Sequence, residues 1–265
     1  MIRTLMAASV ATLICSAGLA QEADTSELTL AGYDTSVTLA VGIASDYQYR
    51  GITRSNNEPS LQGSLDIEVA NVYGSISAAS TDLGNLDTLW QSEQVPVDTR
   101  RIIDGTEVVL EGGVKWQLLE NLDLKTGVTY HYYAEEEGYV EFHVRPTYSL
   151  TDGLDIRGEV AVTPSFIADI DEGFYTGVGA DLNVFNTQEF DLTLNVDAGY
   201  QTFERELDGG TQTEDYWHYG AGARLSGPLG LFIDGQYVDT AEAGRFNDFE
   251  SDNAVFMIGF SVDLS

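Results

Sequence analysis

The sequence predicts an all-β protein, a transmembrane antiparallel up-and-down β-barrel of about twelve strands. Three observations point there. From Thr35 to the C-terminus, stretch after stretch places an apolar residue at every second position. The apolar register of those stretches holds no Asp, Glu, Lys or Arg. The connections between them alternate short with long. Lipid cannot hydrogen-bond a backbone, so strands with one apolar and one polar face must pair on both edges and close into a ring.

The first strand, Thr35 to Tyr47, sets Val37, Leu39, Val41 and Ile43 against Ser36, Thr38, Gly42 and Asp46. The second, Pro59 to Val69, opposes Leu61, Leu65 and Ile67 to Gln62, Asp66 and Glu68. After a tight Ala70-Asn71 turn the third, Val72 to Ser80, is weaker and rich in small residues. The fourth, Thr106 to Leu118, places Val108, Leu110, Val114 and Trp116 opposite Glu107, Glu111 and Lys115. In the fifth, Leu124, Val128, Tyr130 and Tyr132 oppose Asp123, Lys125 and His131. The sixth sets Val140, Phe142 and Val144 against Glu141, His143 and Arg145, and Pro146 weakens it because proline donates nothing to a ladder.

The seventh opposes Ile156, Val160 and Val162 to Asp155, Arg157 and Glu159, and the eighth Val178, Leu182 and Val184 to Asp181. The ninth alternates Leu192, Leu194 and Val196 with Asp191, Asn195 and Asp197. The tenth, from Tyr216, sets Trp217, Tyr219 and Leu225 against His218 and Arg224. In the eleventh Leu231, Ile233 and Tyr237 face away from Asp234 and Gln236, with Phe232 out of pattern. The twelfth aligns Phe256, Ile258, Phe260, Val262 and Leu264.

Short turns at Ala70-Asn71, Leu119 to Asn121, Thr151 to Gly153, Asn186-Thr187 and Ser226 to Pro228 alternate with longer polar loops. Those loops are Arg50 to Glu58, Asp82 to Gly105, Pro164 to Gly173, Phe203 to Asp215 and Asp239 to Asp252; only Ala134 to Gly138 breaks the rule. Periplasmic turns and extracellular loops sort in this way in outer-membrane barrels, whereas a soluble sandwich has no reason to sort loops by parity. Trp116, Tyr130, Tyr132, Tyr148, Tyr200, Trp217 and Tyr237 fall toward strand ends, where aromatic girdles belong.

Residues 1–20 read as a secretory signal: Arg3, the apolar run Leu5 to Ile14, and Gly18-Leu19-Ala20 before the cut. Residues 21–34 then form a periplasmic segment and residues 35–265 the barrel. Cys15, the one cysteine, lies in the signal, and Ile14 before it argues against lipidation. A formal net charge of -31 excludes a nucleic-acid binder, because phosphate requires Lys and Arg. The expected location is the outer membrane of a Gram-negative bacterium.

Ser45 to Gly63, and within it Ser45, Asp46, Tyr47, Tyr49, Arg50, Gly51, Ser55, Pro59, Gln62 and Gly63, resembles the opening signature of the TorF-type porins. Val72 to Ser75 continues the likeness. The resemblance implies an outer-membrane barrel with a channel function. It carries over no catalytic or substrate-binding residue. The chain ends Asp263-Leu264-Ser265 rather than on the aromatic that barrel-assembly machinery commonly reads, and Phe260 with the alternating run before it is the expected substitute.

The polar register would line a pore. Its members are Asp46, Asp66, Glu68, Glu107, Glu111, Asp123, Glu141, Asp155, Glu159, Asp181, Asp191, Asp197 and Asp234, with Lys115, Lys125, Arg145, Arg157 and Arg224. The acidic excess predicts a wall that attracts cations. Pairing of these charges across strands, merely filling the interior, is an equal alternative; a narrow pore partly filled by side chains or a loop reconciles them. Loop Asp82 to Gly105 could fold inward with Arg100 and Arg101, although an outer loop is the plainer expectation. Glu135 to Glu137 and Asp248 to Asp252 lack metal-loop spacing and read as solvated faces.

The expected function is passive diffusion of small hydrophilic solutes or ions, with no cofactor, metal or catalytic residue. Lipid is the expected surrounding. A plugged structural or adhesive barrel is the alternative, and a membrane-embedded lipid hydrolase a more remote one. His131, His143 and His218 all fall in the inward register, away from any lipid substrate, and neither GxSxG nor HExxH occurs.

Overall fold

The structure is a computed structural model that describes residues 29–30, 33–85, 102–134, 136–165, 172–187, 189–207, 210–241 and 252–264. Twelve long strands follow one another: β1 (Tyr33–Ala44), β2 (Ser60–Val69), β3 (Val72–Asn85), β4 (Ile102–Leu119), β5 (Leu122–Tyr133) and β6 (Glu136–Thr151). Then come β7 (Leu154–Thr163), β8 (Glu172–Asn186), β9 (Asp191–Leu207), β10 (Gly210–Ser226), β11 (Leu231–Ala241) and β12 (Asp252–Asp263). Each pairs antiparallel with its sequence neighbours, and β12 returns to β1 to complete the ring.

Closure runs from Met257 opposite Ala44 to Asp263 opposite Thr38, and the Leu264 N–H extends it to the Val37 carbonyl. On its other edge β1 pairs with β2 from Thr35–Val69 to Ala44–Ser60. A two-residue arm, Thr29–Leu30, adds to the start of β1. The five short turns gather at one end of the barrel, called here the turn end, and the other connections at the loop end.

The two faces invert the usual distribution of polarity. Val178 and Ile258 point outward and are 57% and 59% exposed, whereas Glu107 and Glu141 point inward and are 0% and 1% exposed. A soluble protein would not leave such a continuous apolar exterior. Trp116 and Tyr148 lie outward near the turn end, and Tyr132, Tyr200 and Trp217 near the loop end. Tyr200 donates to Asp215 at 2.7 Å while its ring packs 4.7 Å from Trp217. That arrangement seats amphipathic rings between an apolar band and an acidic rim.

Several strands outrun their expected ends at the loop end. β3 reaches Asn85, β4 begins at Ile102, and β9 and β10 pair up to Leu207–Gly210. β1 is the exception, ending at Ala44 rather than Tyr47. Pro146 does not end β6; instead the β6–β7 pairing skips from Arg157–Thr147 to Val160–Val144 beside it. Phe232 points inward and is buried, under the Arg224 guanidinium and against Gly259. Residues 86–101, with Arg100 and Arg101, lie outside the described residues, as do Glu135 and Asp248 to Ser251.

Val178 sits near the middle of β8 with its side chain on the apolar exterior. We expect Val178→Arg to cost about 2–4 kcal/mol of folding stability in a bilayer. Urea titration of refolding into phospholipid vesicles, read by the mobility of unheated samples on gels, checks this.

Candidate functional site

The site is built from the segment after β1, which turns into the barrel instead of away from it. Ser45 ends the wall: its N–H bonds to the Phe256 carbonyl at 2.8 Å, and its Oγ accepts from the Phe256 N–H at 3.0 Å. Asp46, expected on the wall, is not there. Its Oδ1 accepts from Thr53 at 2.6 Å and Ser55 at 2.8 Å, pinning the two ends of a small hairpin together. Tyr47 N–H donates to Ser55 Oγ, and Arg54 N–H to the Tyr47 carbonyl. The correction has a simple cause: alternation continues on paper through Tyr47, but the ladder that would make those residues a wall stops at Ala44.

Within the hairpin Gln48–Tyr49 pairs with Ile52–Thr53 around Arg50-Gly51. Arg50 has φ 51° and Gly51 φ 80°, the left-handed pair of a type I′ turn. Glycine takes that conformation freely, whereas arginine does so at a cost of about 1–2 kcal/mol. Gly51 also has no room for a side chain: a Cβ there would overlap His218 and stand 2.8 Å from Thr240 Oγ1. The tip is anchored by Thr240, which donates to the Gly51 carbonyl. Gln48 donates to Asn253 at 3.0 Å, and Asn253 to Asn57, tying the flank to β12.

This geometry drives both arginines into the lumen. Arg50 forks onto Glu141, with Nη1 2.7 Å from Oε2 and Nη2 2.8 Å from Oε1, and its Nη2 also donates to Glu159 at 2.8 Å. Its guanidinium carbon lies 3.9 Å from the Tyr175 ring centroid and 4.8 Å from that of Tyr49. Arg54 pairs with Glu107 and donates to Tyr139 Oη at 3.0 Å. Glu107 also accepts from Tyr133 at 3.0 Å and contacts His131 Nδ1 at 2.7 Å. The His131 ring stacks 4.3 Å from Tyr139. Burial opposes the Arg54 charge, but the facing Glu107 carboxylate together with the surrounding Tyr133, Tyr139 and Tyr47 more than offsets it and holds the group well above its ordinary range. Burial pushes the Tyr47 and Tyr49 phenols up, so both stay neutral donors.

The remaining candidates face the lumen below the hairpin. Arg145 bridges Glu111 at 2.8 Å and Glu159 at 3.3 Å, and His143 sits between Thr129 and Tyr73, 2.9 Å from the Tyr73 hydroxyl. Toward the turn end Lys125 pairs with Glu68 at 3.2 Å, Arg224 with Asp234 at 2.8 Å, and Arg157 with Asp181. Asp191 accepts from Asn183, and Asp197 from Gln236. Among the described residues Asp66, Asp123 and Asp155 have no ion-pair partner, nor does Lys115, which lies directly across from Lys125 in the ladder. No group of three acidic, His or Cys side chains among the described residues could hold a metal ion.

Two halves therefore differ. At the loop end Arg54, Glu107, His131, Tyr133, Tyr139 and Glu141 are all buried beneath the hairpin. At the turn end the charges stay accessible from within: side-chain exposure is 39% for Lys125, 46% for Arg157 and 49% for Arg224. The sequence reading missed Arg54, Tyr139, Tyr175 and Gln201 as site residues. It treated Arg50 to Glu58 as an outer loop, although Gln-Tyr-Arg-Gly-Ile-Thr carries a hairpin signal in its X-Gly pair.

A family model described as a bacterial protein of unknown function (Gcw_chp) matches residues 31–261. The chain belongs to the Gcw_chp family. The Ser45 to Gly63 signature lies inside that match, so the inward hairpin is a feature of a Gcw_chp chain. No curated protein matches it. Among solved structures, the COG4313 outer membrane channel from Pseudomonas putida F1 is similar at 12% identity and TM-score 0.53, over 91% of this chain and all (100%) of that one. A KdgM porin is similar at 8% identity and TM-score 0.50, over 85% of this chain and 97% of the other. At such identities the likeness establishes the architecture, that of bacterial outer-membrane barrels.

Two outcomes follow from the seat of the hairpin. Gly51→Val should unseat it, making the intact barrel cleavable by trypsin after Arg50 and Arg54, where the native protein resists; peptide mapping of the fragments reads this. Glu141→Leu leaves Arg50 with Glu159 as its one carboxylate partner and should favour local opening by less than the roughly 3–5 kcal/mol of a fully stranded buried charge, whereas Arg50→Leu with Glu141→Leu should recover most of that loss. Hydrogen exchange across residues 47–55 compares the three chains.

Proposed function

We propose that this protein is a passive channel for small hydrophilic solutes in the Gram-negative outer membrane, of the TorF type, with a preference for cations. The short turns then face the periplasm and the longer loops the exterior. One observation carries the proposal: ionised side chains inside a closed barrel remain exposed along its turn-end half. Charges can stay so only where the interior is wide enough for water. The channel-like architecture of the COG4313 and KdgM barrels supports the same use.

The preference follows from which charges are left over. Among the described residues Arg50, Arg54, Arg145, Arg157 and Arg224 are each spent on a carboxylate, as is Lys125. Asp66, Asp123 and Asp155 are not balanced, and Lys115 offsets only one of them. In a narrow lumen with low-dielectric walls such an excess concentrates cations. The hairpin favours a second reading, a plugged structural barrel, because it fills the other half.

Reconstituted in planar bilayers under a KCl gradient, the protein should show small conductance steps and a reversal potential of cation-selective sign. Asp123→Asn with Asp155→Asn should move that potential toward zero. Anion-selective sign would defeat the charge argument, and complete absence of conductance would favour the structural barrel.

A further inference from the structure

The two pockets that hold Arg50 and Arg54 are made mostly by the wall. Glu141 (β6), Glu159 (β7), Tyr175 (β8) and Gln201 (β9) surround Arg50, the last at 3.4 Å. Glu107 (β4), His131 (β5) and Tyr139 (β6) receive Arg54, with Tyr49 of the hairpin 4.0 Å above it. Each pairs a buried carboxylate with an aromatic face. That combination recognises a flat or compact organic cation through charge-assisted hydrogen bonds and cation–π attraction, and it disfavours anions and neutral sugars.

Withdrawal of the hairpin would open this half to water and leave Glu107 and Glu141 with their main counter-charges gone. Arg145 remains nearby but already serves Glu111 and Glu159. Unbalanced carboxylates in a narrow lumen with low-dielectric walls concentrate cations, so the vacated half favours a replacement cation. A separate observation points the same way. Glu107 Oε2 and His131 Nε2 are buried and lack a hydrogen-bond partner, although Arg54 is beside them. The pocket therefore offers more hydrogen-bonding capacity than its tethered occupant uses.

We propose that the loop-end half of the lumen is a receptor for organic cations bearing guanidinium or primary ammonium groups. The hairpin is its tethered competitor, seating Arg50 and Arg54 where the solute sits once the hairpin withdraws. The assignment deepens the channel reading by naming its solute class; it rests on that reading for transport but not for binding. Entry of such a solute and release of the hairpin are then one exchange, in which one guanidinium replaces another on the same carboxylates. A solute without that charge cannot complete the exchange, so selection occurs at the step that opens the path.

Agmatine, which has a guanidinium at one end and an ammonium at the other, is the probe, with glucose and glucuronate as neutral and anionic controls. Titration calorimetry on the detergent-solubilised full chain should show Arg50→Gln with Arg54→Gln binding agmatine at least tenfold more tightly than the native protein does. Adding Glu107→Gln and Glu141→Gln should abolish the gain, and neither control should bind. Equal agmatine affinity in native and variant chains, or glucuronate binding as tight as agmatine, would overturn the proposal. Should the arginine variant fail to give the gel mobility of a folded barrel, the native protein decides. Millimolar agmatine, unlike glucose, should then accelerate hydrogen exchange across residues 47–55, and no acceleration would refute the competitor. Agmatine binding without conductance in any bilayer sinks the channel and supports the receptor. Conductance without agmatine binding does the reverse.

Discussion

Backbone hydrogen bonding is the constraint from which the rest of this molecule follows. A peptide group facing acyl chains has no solvent partner, so an open sheet edge in a bilayer is untenable. The pairing of β12 with β1, from Met257–Ala44 to Asp263–Thr38, removes the last edge. Once the ring is closed, strand pleating sends alternate residues to opposite faces and forces an outer set and an inner set. The outer set is apolar because a charge there is costly. The inner set, relieved of lipid, is polar, and so this barrel is filled by groups that must find partners.

That need explains the hairpin. In a soluble core, exclusion of water from apolar side chains stabilises packing; here the buried residues include Glu107, Glu141, His131, Thr129, Gln201 and several tyrosines. Desolvation of a carboxylate costs several kcal/mol unless an opposite charge and hydrogen bonds compensate. The loop-end wall supplies more acids than bases, and its Arg145 is already held by Glu111 and Glu159. Arg50 and Arg54 arrive from outside the wall to neutralise them, which makes the hairpin a structural component of the lumen rather than an ornament on its rim. Gly51 permits the close approach, and Asp46 sets the spacing of the hairpin's two arms.

The barrel was legible because its code is local. Each strand announces itself by period-two alternation, and Val178, Val196 or Ile258 reads as lipid-facing without knowledge of its neighbours. Reading stopped where the bilayer stops: beyond the aromatic belt β9 and β10 continue to Leu207 and Gly210 through a largely polar sequence that no alternation marks. Phe232 broke the pattern because it fills the inward space beneath Arg224 and beside Gly259, a contact between strands that no single strand reveals. The hairpin was hidden for the same reason. Arg50 reaches a glutamate 91 positions away and Arg54 one 53 away, and only the closed ring brings them together.

The division of the lumen also separates two tasks that one ring of charges would confuse. Loop-end carboxylates are neutralised by Arg50 and Arg54 of the hairpin, so in the proposed exchange their charge is felt only when the hairpin leaves. Turn-end carboxylates such as Asp123 and Asp155 have no such partner and act at all times. Bulk salt screens charges over about 8 Å at physiological ionic strength, but low-dielectric walls confine the field along the axis. In the channel proposed above, the turn-end half therefore sets a standing bias toward cations, while the loop-end half acquires its negative potential only on opening. On that proposal a cation arriving at the open half meets the carboxylates that the hairpin has just released, and its binding opposes the hairpin's return.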